Sequence, residues 1–502
     1  MSRSVLRPFG LALILVAALA PAEAQAQDPA AARLFQEAER LTRSGDPAAA
    51  LAEYRLLVQQ FPQDALAPEA LLATGRLHRI LGDDRSATLT VDRLLDAYPR
   101  TPEAASAFVI QGQIAAAQAR SPQDLEAALT SFRRVPLLFG VDAFPTLEAR
   151  AQALVRHGEI SLLIGQRDAA LADFTAVAED EPAGPYVWRG RRLLGRTLLE
   201  KGEITPALET LQRLADEPDA DAGEKDAARR LISLAHRLFV RPQGGQAPWR
   251  RSERFAPNGL QLDEVIGVAA ADDNSLLIVD EGAEKVIRVS PDHSRWETVA
   301  MRDGGRPGFS QDVAHVVTEK QLVLPFDGRR VSFLEPKAGR ESPLSKMRGA
   351  ARGPFGDWFV LARGFRGLIS YQTPRKGQEL LGSLRPELTD VEVDALGRVY
   401  ALDRREKRIL RLAVDRRSHQ TVVTGDWRRP EALALDALGH LYVLDTGAKQ
   451  IHVYAPDGRR KTVLGPTLPM GLELKKPRDL AVDGSGRIFI ADADQPFLVS
   501  LQ

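Results

Sequence analysis

Thr389-Asp390-Val391-Glu392-Val393-Asp394-Ala395-Leu396-Gly397-Arg398-Val399-Tyr400-Ala401-Leu402-Asp403 reads as an apolar strand, an Asp-x-x-Gly turn, a second apolar strand and a closing Asp. The same pattern recurs at 431–445 and at 478–492. Alternating apolar residues on both sides of the turn fit half-buried strands, and Asp with Gly supplies tight-turn chemistry. Self-similarity at a period of about 40 residues marks a repeat architecture, and a strand-rich repeat of that length marks a β-propeller.

Working outward, the second strand of each blade is expected at Leu276–Asp280, Leu322–Leu324, 358–361, Val399–Asp403, Leu441–Asp445 and Ile488–Asp492. Asp280 and Asp403 are 123 residues apart, three periods, so two weaker blades lie between them and the total is six. Third and fourth strands follow, as at Val286 to Val289 and Trp296 to Val299. The sixth blade runs out of chain at Gln502. The stretch Ser252–Phe255 is expected to supply its missing strand, because an open sheet edge must be covered. The Gly-rich stretch 304–308 reads as a loop between blades.

The N-terminal half carries a different repeat. Gly165, Ala170, Phe174, Val177 and Pro182 set a spacing that recurs as Gly45, Ala50, Tyr54, Leu57, Pro62 and as Gly82, Ala87, Val91, Leu94, Pro99. It returns in Gly202, Ala207, Leu211, Leu214 and, degenerate, in Ala128, Phe132, Val135. Gly closes one helix with a left-handed cap, the small Ala lets a second helix approach, and the Pro stops it. Small residues seven positions before the Gly (Ala38, Gly75, Gly158, Gly195) permit close helix contact.

This helical pattern resembles the tetratricopeptide repeat over roughly 210 residues. The motif from Pro430 through Asp436, Gly439 and Leu441 to Asp445 is similar to the NHL repeat, and 477–492 matches as well. The expected fold is multidomain α + β: an all-α tetratricopeptide-type solenoid followed by a six-bladed β-propeller. The expected boundaries are a signal peptide at 1–26, helical repeats at 27–240, a Pro- and Gly-rich linker at 241–250 and the propeller at 251–502.

Composition narrows the setting. The chain has 502 residues, more than one core usually serves. Arg3 and Arg7, an apolar run from Leu11 to Leu19 and the small residues around Ala24 form an export leader. A periplasmic or secreted location is expected, with no integral membrane span after cleavage. There are no cysteines, which excludes disulfides and thiolate chemistry. Lys+Arg and Asp+Glu are both 67, so no global attraction to nucleic acid is expected.

The candidate sites follow from the repeats. The resemblance implies that Arg189, Arg192 and Arg196 line a concave groove, with Arg76 and Arg79 at comparable positions. Clustered guanidiniums there suit carboxylates or phosphates, or form a solvated face paired with nearby Glu. In the propeller, the starts of the first strands give a mouth ring of Asp312, Arg348, Asp390, Glu431, Arg478 and Asp479. That ring could bind a cation or polar ligand, or neutralise itself through ion pairs. The Asp-x-x-Gly aspartates and the strand-ending Asp403, Asp445 and Asp492 recur once per blade, which points to structure. Some propellers of this general type are lyases with a histidine-held zinc, or lactonases with a cation held by Glu, Asn and Asp. Of His293, His315, His419, His440 and His452, only His315 is placed on a first strand, with His440 in an exposed turn. The basic run at 404–408 reads as a solvated hairpin. The leading expectation is a non-enzymatic cell-envelope scaffold with a protein or peptide partner, no cofactor and no metal. The rival is a hydrolase or lyase with a divalent cation on Asp312, Asp390, Glu431 or Asp479.

Overall fold

The computed structural model of the chain describes residues 28–119, 122–140, 148–179, 184–244, 246–257, 259–301, 305–310, 313–336, 342–353, 357–365, 367–394, 396–413 and 418–502. The leader expected at 1–26 and Asp312 lie outside the described residues. Among the described residues no helix is long and apolar enough to cross a membrane. The chain divides into two compact units, 1–110 and 111–502.

The first unit holds two helical hairpins, α1 (Pro29–Arg43) with α2 (Pro47–Gln60) and α3 (Leu66–Ile80) with α4 (Asp84–Ala97). Asp28, Asp46 and Asp83 cap α1, α2 and α4 by accepting first-turn amides. Helix α5 (Pro102–Gln118) spans the division between the units. The second unit continues with α6 (Leu125–Leu138), α7 (Glu148–Leu163), α8 (Arg167–Ala178), α9 (Pro185–Lys201), α10 (Ile204–Asp216) and α11 (Ala222–Ala235). The repeat spacing works as the sequence implies. Gly165 takes φ +85° between α7 and α8. A Cβ on Gly158 would lie 2.5 Å from the ring of Phe174, which is fully buried, so only glycine lets α7 and α8 meet there.

The C-terminal half is a propeller of six four-stranded antiparallel sheets. The inner strands of blades 1 to 6 are Val265–Ala270, Arg306–Ser310, Met347–Arg352, Leu388–Val393, Pro430–Leu435 and Pro477–Val482. The ring closes as expected: Ser252–Phe255 pairs antiparallel with Leu498–Leu501, Ser252 opposite Leu501, and becomes the outer strand of blade 6. Further bonds from Arg250 and Arg251 to the Gln502 carbonyl bind the two ends together.

Blade 2 corrects the sequence reading. Residues 306–310 form its innermost strand, where a loop was expected. Val313–Val317, with His315, is the second strand, and Leu322–Leu324 the third. Pro307 and Gly308 break the apolar alternation that marks a strand. An inner strand tolerates them because it pairs on one side only, and its other edge faces the channel.

Near the end of the stretch expected as a linker, Trp249 is built into the core, while the other described residues of 241–250 are exposed or partly buried. A wider helical turn with i→i+5 bonding, His236–Val240, continues from α11 into a short turn, Arg241–Gln243. Trp249 is then buried, donating from its indole N–H to the Gly486 carbonyl at 2.9 Å and meeting Tyr442 edge-on. Helices α9 to α11 share one apolar core with blades 5 and 6, and α7 to α9 enclose Leu396 of blade 4. These contacts fall on the Asp-x-x-Gly turns and on the neighbouring third and fourth strands, as where Lys461 donates to the Leu238 carbonyl. That face of the propeller is therefore packed against helices within the second unit.

Candidate functional site

At the opposite end of the blades the inner strands begin. Two kinds of loop rise around them: the one entering each inner strand, and the one joining second to third strand. In blades 1 and 3 to 6 the second residue of the inner strand is bulged out of register with its neighbour. A bulge re-aims the side chain it carries. Arg348, Thr389, Glu431 and Arg478 are such residues, and they line a bowl of about 650 Å³ over the channel.

The strand-ending aspartates hold the bowl's rim. Asp445 accepts the backbone N–H groups of Arg428 and Arg429 at 2.6 and 2.7 Å. Asp492 does the same for Lys475 and Lys476, both at 2.7 Å. Asp403 takes the Glu387 amide at 3.0 Å. Each aspartate is buried and ties the entering loop to the next hairpin. The turn aspartates are structural too: Asp436 accepts the amides of Leu438 and His440 at 2.9 Å and the Tyr442 hydroxyl at 2.9 Å. His440, expected in an exposed turn, is buried beside Asp436 and faces the Phe239 ring.

Among the described residues the bowl is lined by eight cationic side chains and a single carboxylate, Glu431. Of the ring expected from the sequence, Asp312 lies outside the described residues. Arg348, Glu431 and Arg478 do line the mouth, but Asp390 and Asp479 lie deeper, lining a space of about 80 Å³ in the channel. The sequence reading missed Arg404 and Arg429. Arg404 pairs with Glu387 and Glu431, and Arg429 with Glu431 at 2.7 Å, so the run at 404–408 is not wholly a solvated hairpin. The available signal was positional: charges just after a strand-ending Asp, or just before an inner strand, fall at the mouth.

Arg306 is the other residue missed, because its strand was read as a loop. Its guanidinium stands between Asp390 (2.9 Å) and Asp479 (3.2 Å) and donates to the carbonyls of Thr389 (2.9 Å) and Glu431 (3.5 Å). Asp390 also accepts the amides of Val391 (2.8 Å) and Leu433 (2.7 Å), and Asp479 those of Leu480 (3.1 Å) and Val268 (3.2 Å). These bonds stitch neighbouring blades across the channel. Burial raises the Asp390 carboxyl to about 7 even though Arg306 pulls it down. Burial likewise raises Asp479, and holds Glu392 well above the usual range with Asp390 adding to the effect. Burial opposes the Arg306 charge, but the two aspartates more than offset it and raise its pKa.

Asp390 and Asp479, two of the four carboxylates expected to hold a cation, are engaged by Arg306. The two channel carboxylates already share the Arg306 guanidinium, and among the described residues no three His, Cys, Asp or Glu side chains converge as metal ligands. His315 is buried on a second strand, with Nε2 3.2 Å from the Ala350 carbonyl.

In the helical repeats, Arg189 pairs with Glu159, Arg192 with Glu224, and Arg196 with Glu200 at 3.1 Å. These guanidiniums have their charge offset by carboxylates of the array itself. Arg76 and Arg79 lie on α3 of the first unit, Arg76 near enough to Glu69 to act on its carboxyl.

No protein-family model and no curated protein matches the chain. Solved propellers do resemble its fold. A streptogramin B lyase is 10% identical, covering 50% of this chain and 97% of that chain, with a TM-score of 0.38. A gluconolactonase from Xanthomonas campestris is 12% identical, covering 50% and 89%, with a TM-score of 0.39. An auxiliary nutrient binding protein from Bacteroides thetaiotaomicron is 14% identical, covering 48% and 69%, with a TM-score of 0.36.

Proposed function

We propose that this chain is a non-enzymatic binding scaffold of the bacterial cell envelope, a tetratricopeptide-type helical array joined to an NHL-like propeller whose open mouth holds a protein or peptide partner. One observation carries the reading: Arg306 occupies Asp390 and Asp479, two of the carboxylates that a metal-dependent hydrolase would use here, while the mouth above it is wide, rigid and charged. Rigidity matters because strand-ending aspartates fix the rim before any ligand arrives, so little ordering cost falls on binding. The opposite face is spent on the helices, which leaves the mouth loops to carry specificity. The export leader supports the envelope location.

Purification from the native cell tests this reading, with metal analysis and cross-linked partner recovery compared between the wild type and an Arg348→Glu/Arg478→Glu variant. A metal-free preparation whose partner is lost in the variant is the expected result. A stoichiometric, tightly held divalent cation, with partner recovery untouched by the variant, would refute it.

A further inference from the structure

The mouth also specifies what kind of partner it takes. Resting on the scaffold reading above, we propose that the bowl binds an acidic peptide segment, a run of Asp and Glu side chains, in extended form.

Charge gives the first argument. Arg306 is neutralised by Asp390 and Asp479, and Arg404 and Arg429 converge on Glu431. Lys476 reaches Asp494 at 3.6 Å. Arg348 acts on the Glu387 carboxylate, which Arg404 already holds, while Arg363, Lys475 and Arg478 have no carboxylate partner among the described residues. Three cations therefore face one bowl with their charge unmet, and like charges so placed attract an anion and repel one another without it.

Shape gives the second. A neighbouring hollow of about 480 Å³ shares Arg348 and Arg363 with the bowl and adds Arg385 and Arg405. The two hollows form one basic track running outward over blades 3 and 4. A compact ion would fill one end only, whereas an extended chain with repeated anionic groups can use the whole track.

Chemistry separates carboxylate from phosphate and from nucleic acid. Phosphate sites commonly add converging backbone N–H groups to their cations. Here the amides of Arg428, Arg429, Lys475 and Lys476 are already consumed by Asp445 and Asp492. Carboxylates, by contrast, already have a seat in the bowl: one Glu431 oxygen lies 2.6 Å from Arg404 Nη1 and 2.7 Å from Arg429 Nε. Among the described residues the bowl itself is lined by no aromatic side chain, and the neighbouring hollow by one, Phe365, too few for the successive stacking that single-stranded nucleic acid uses.

The test uses the full chain and fluorescence anisotropy with a labelled octaglutamate peptide. Octaglutamine serves as the neutral control, and tripolyphosphate and an oligouridylate as competitors. Octaglutamate should bind, octaglutamine should not, and affinity should fall steeply between about 50 and about 300 mM salt. Lys475→Gln/Arg478→Gln should weaken binding about tenfold or more with the melting temperature unchanged, since both side chains are exposed. Equal binding of octaglutamine, or an unaltered affinity in the double variant, would overturn the proposal. Tighter binding of tripolyphosphate or oligouridylate than of octaglutamate would also overturn it. None of these failures touches the scaffold reading, which falls instead on the metal content and partner recovery described above.

Discussion

Replacing Arg306 by alanine strips the channel of the group that holds two buried aspartates together. Asp390 and Asp479 would keep their backbone donors, Val391 and Leu433 for one, Leu480 and Val268 for the other. They would lose the cation that bridges them, with Glu392 nearby adding a further buried acid. Breaking a buried ion pair from one side costs about 3–5 kcal/mol, because a charge is left without compensation. The carboxyls can escape part of that cost by taking up protons, so the loss should depend on pH. The sign follows from linkage. Burial already places the Asp390 carboxyl near 7, above its unfolded value of about 4. Between those values the folded state binds more protons than the unfolded state, so this group's contribution to stability falls as pH rises through the window. Without Arg306 the folded values climb further and the window extends upward. Urea unfolding followed by circular dichroism at pH 5, 6.5 and 8 should show a deficit of about 3–5 kcal/mol at pH 8 that shrinks to about half at pH 5. Arg306→Lys should recover part of it, keeping the charge but losing the fork that reaches the Thr389 and Glu431 carbonyls. A deficit below about 1 kcal/mol at pH 8, or one that ignores pH, would refute the assignment of Arg306 as the channel's clamp.

Trp249→Ala should cost about 3–5 kcal/mol and separate the unfolding of α9 to α11 from that of the propeller, seen as a second transition in calorimetry, because Trp249 lies in their shared core. Asp492→Ala should cost about 1–3 kcal/mol by leaving the Lys475 and Lys476 amides without their acceptor. The same change should raise hydrogen exchange at those two amides. Removing Ser252–Phe255 should expose the edge of Leu498–Leu501 and produce aggregation on size-exclusion chromatography. Burial lowers the pKa of His452, so the folded state disfavours its charged form. Its contribution to stability is present above about 6.5 and is lost as pH falls, and His452→Phe should flatten the acid limb of the melting curve.

Much of the architecture is legible in the sequence because repeats leave local signals. The Asp-x-x-Gly turns of blades 4 to 6 give hairpins whose second strands end where the spacing puts them, at Asp403, Asp445 and Asp492. The need to cover the last blade's edge points to Ser252–Phe255 before any pairing is seen. The spacing of Gly158 and Phe174 places two helices in contact from residue size alone. Blade 2 defeats this reasoning because Pro307 and Gly308 erase alternation in a strand that pairs on one side only.

By itself, the sequence determines the kind and order of the repeats, since each hairpin is specified by neighbours a few residues away. Only the tertiary structure decides what those repeats surround. Arg306 meets Asp390 and Asp479 across gaps of 84 and 173 residues, and Arg348, Lys475 and Arg478 share one bowl. Convergence of that sort is a property of closing a ring, and nothing within a single blade records it. The charge of the mouth, the filling of the channel and the burial of Trp249 against Gly486 therefore all follow from closure and docking.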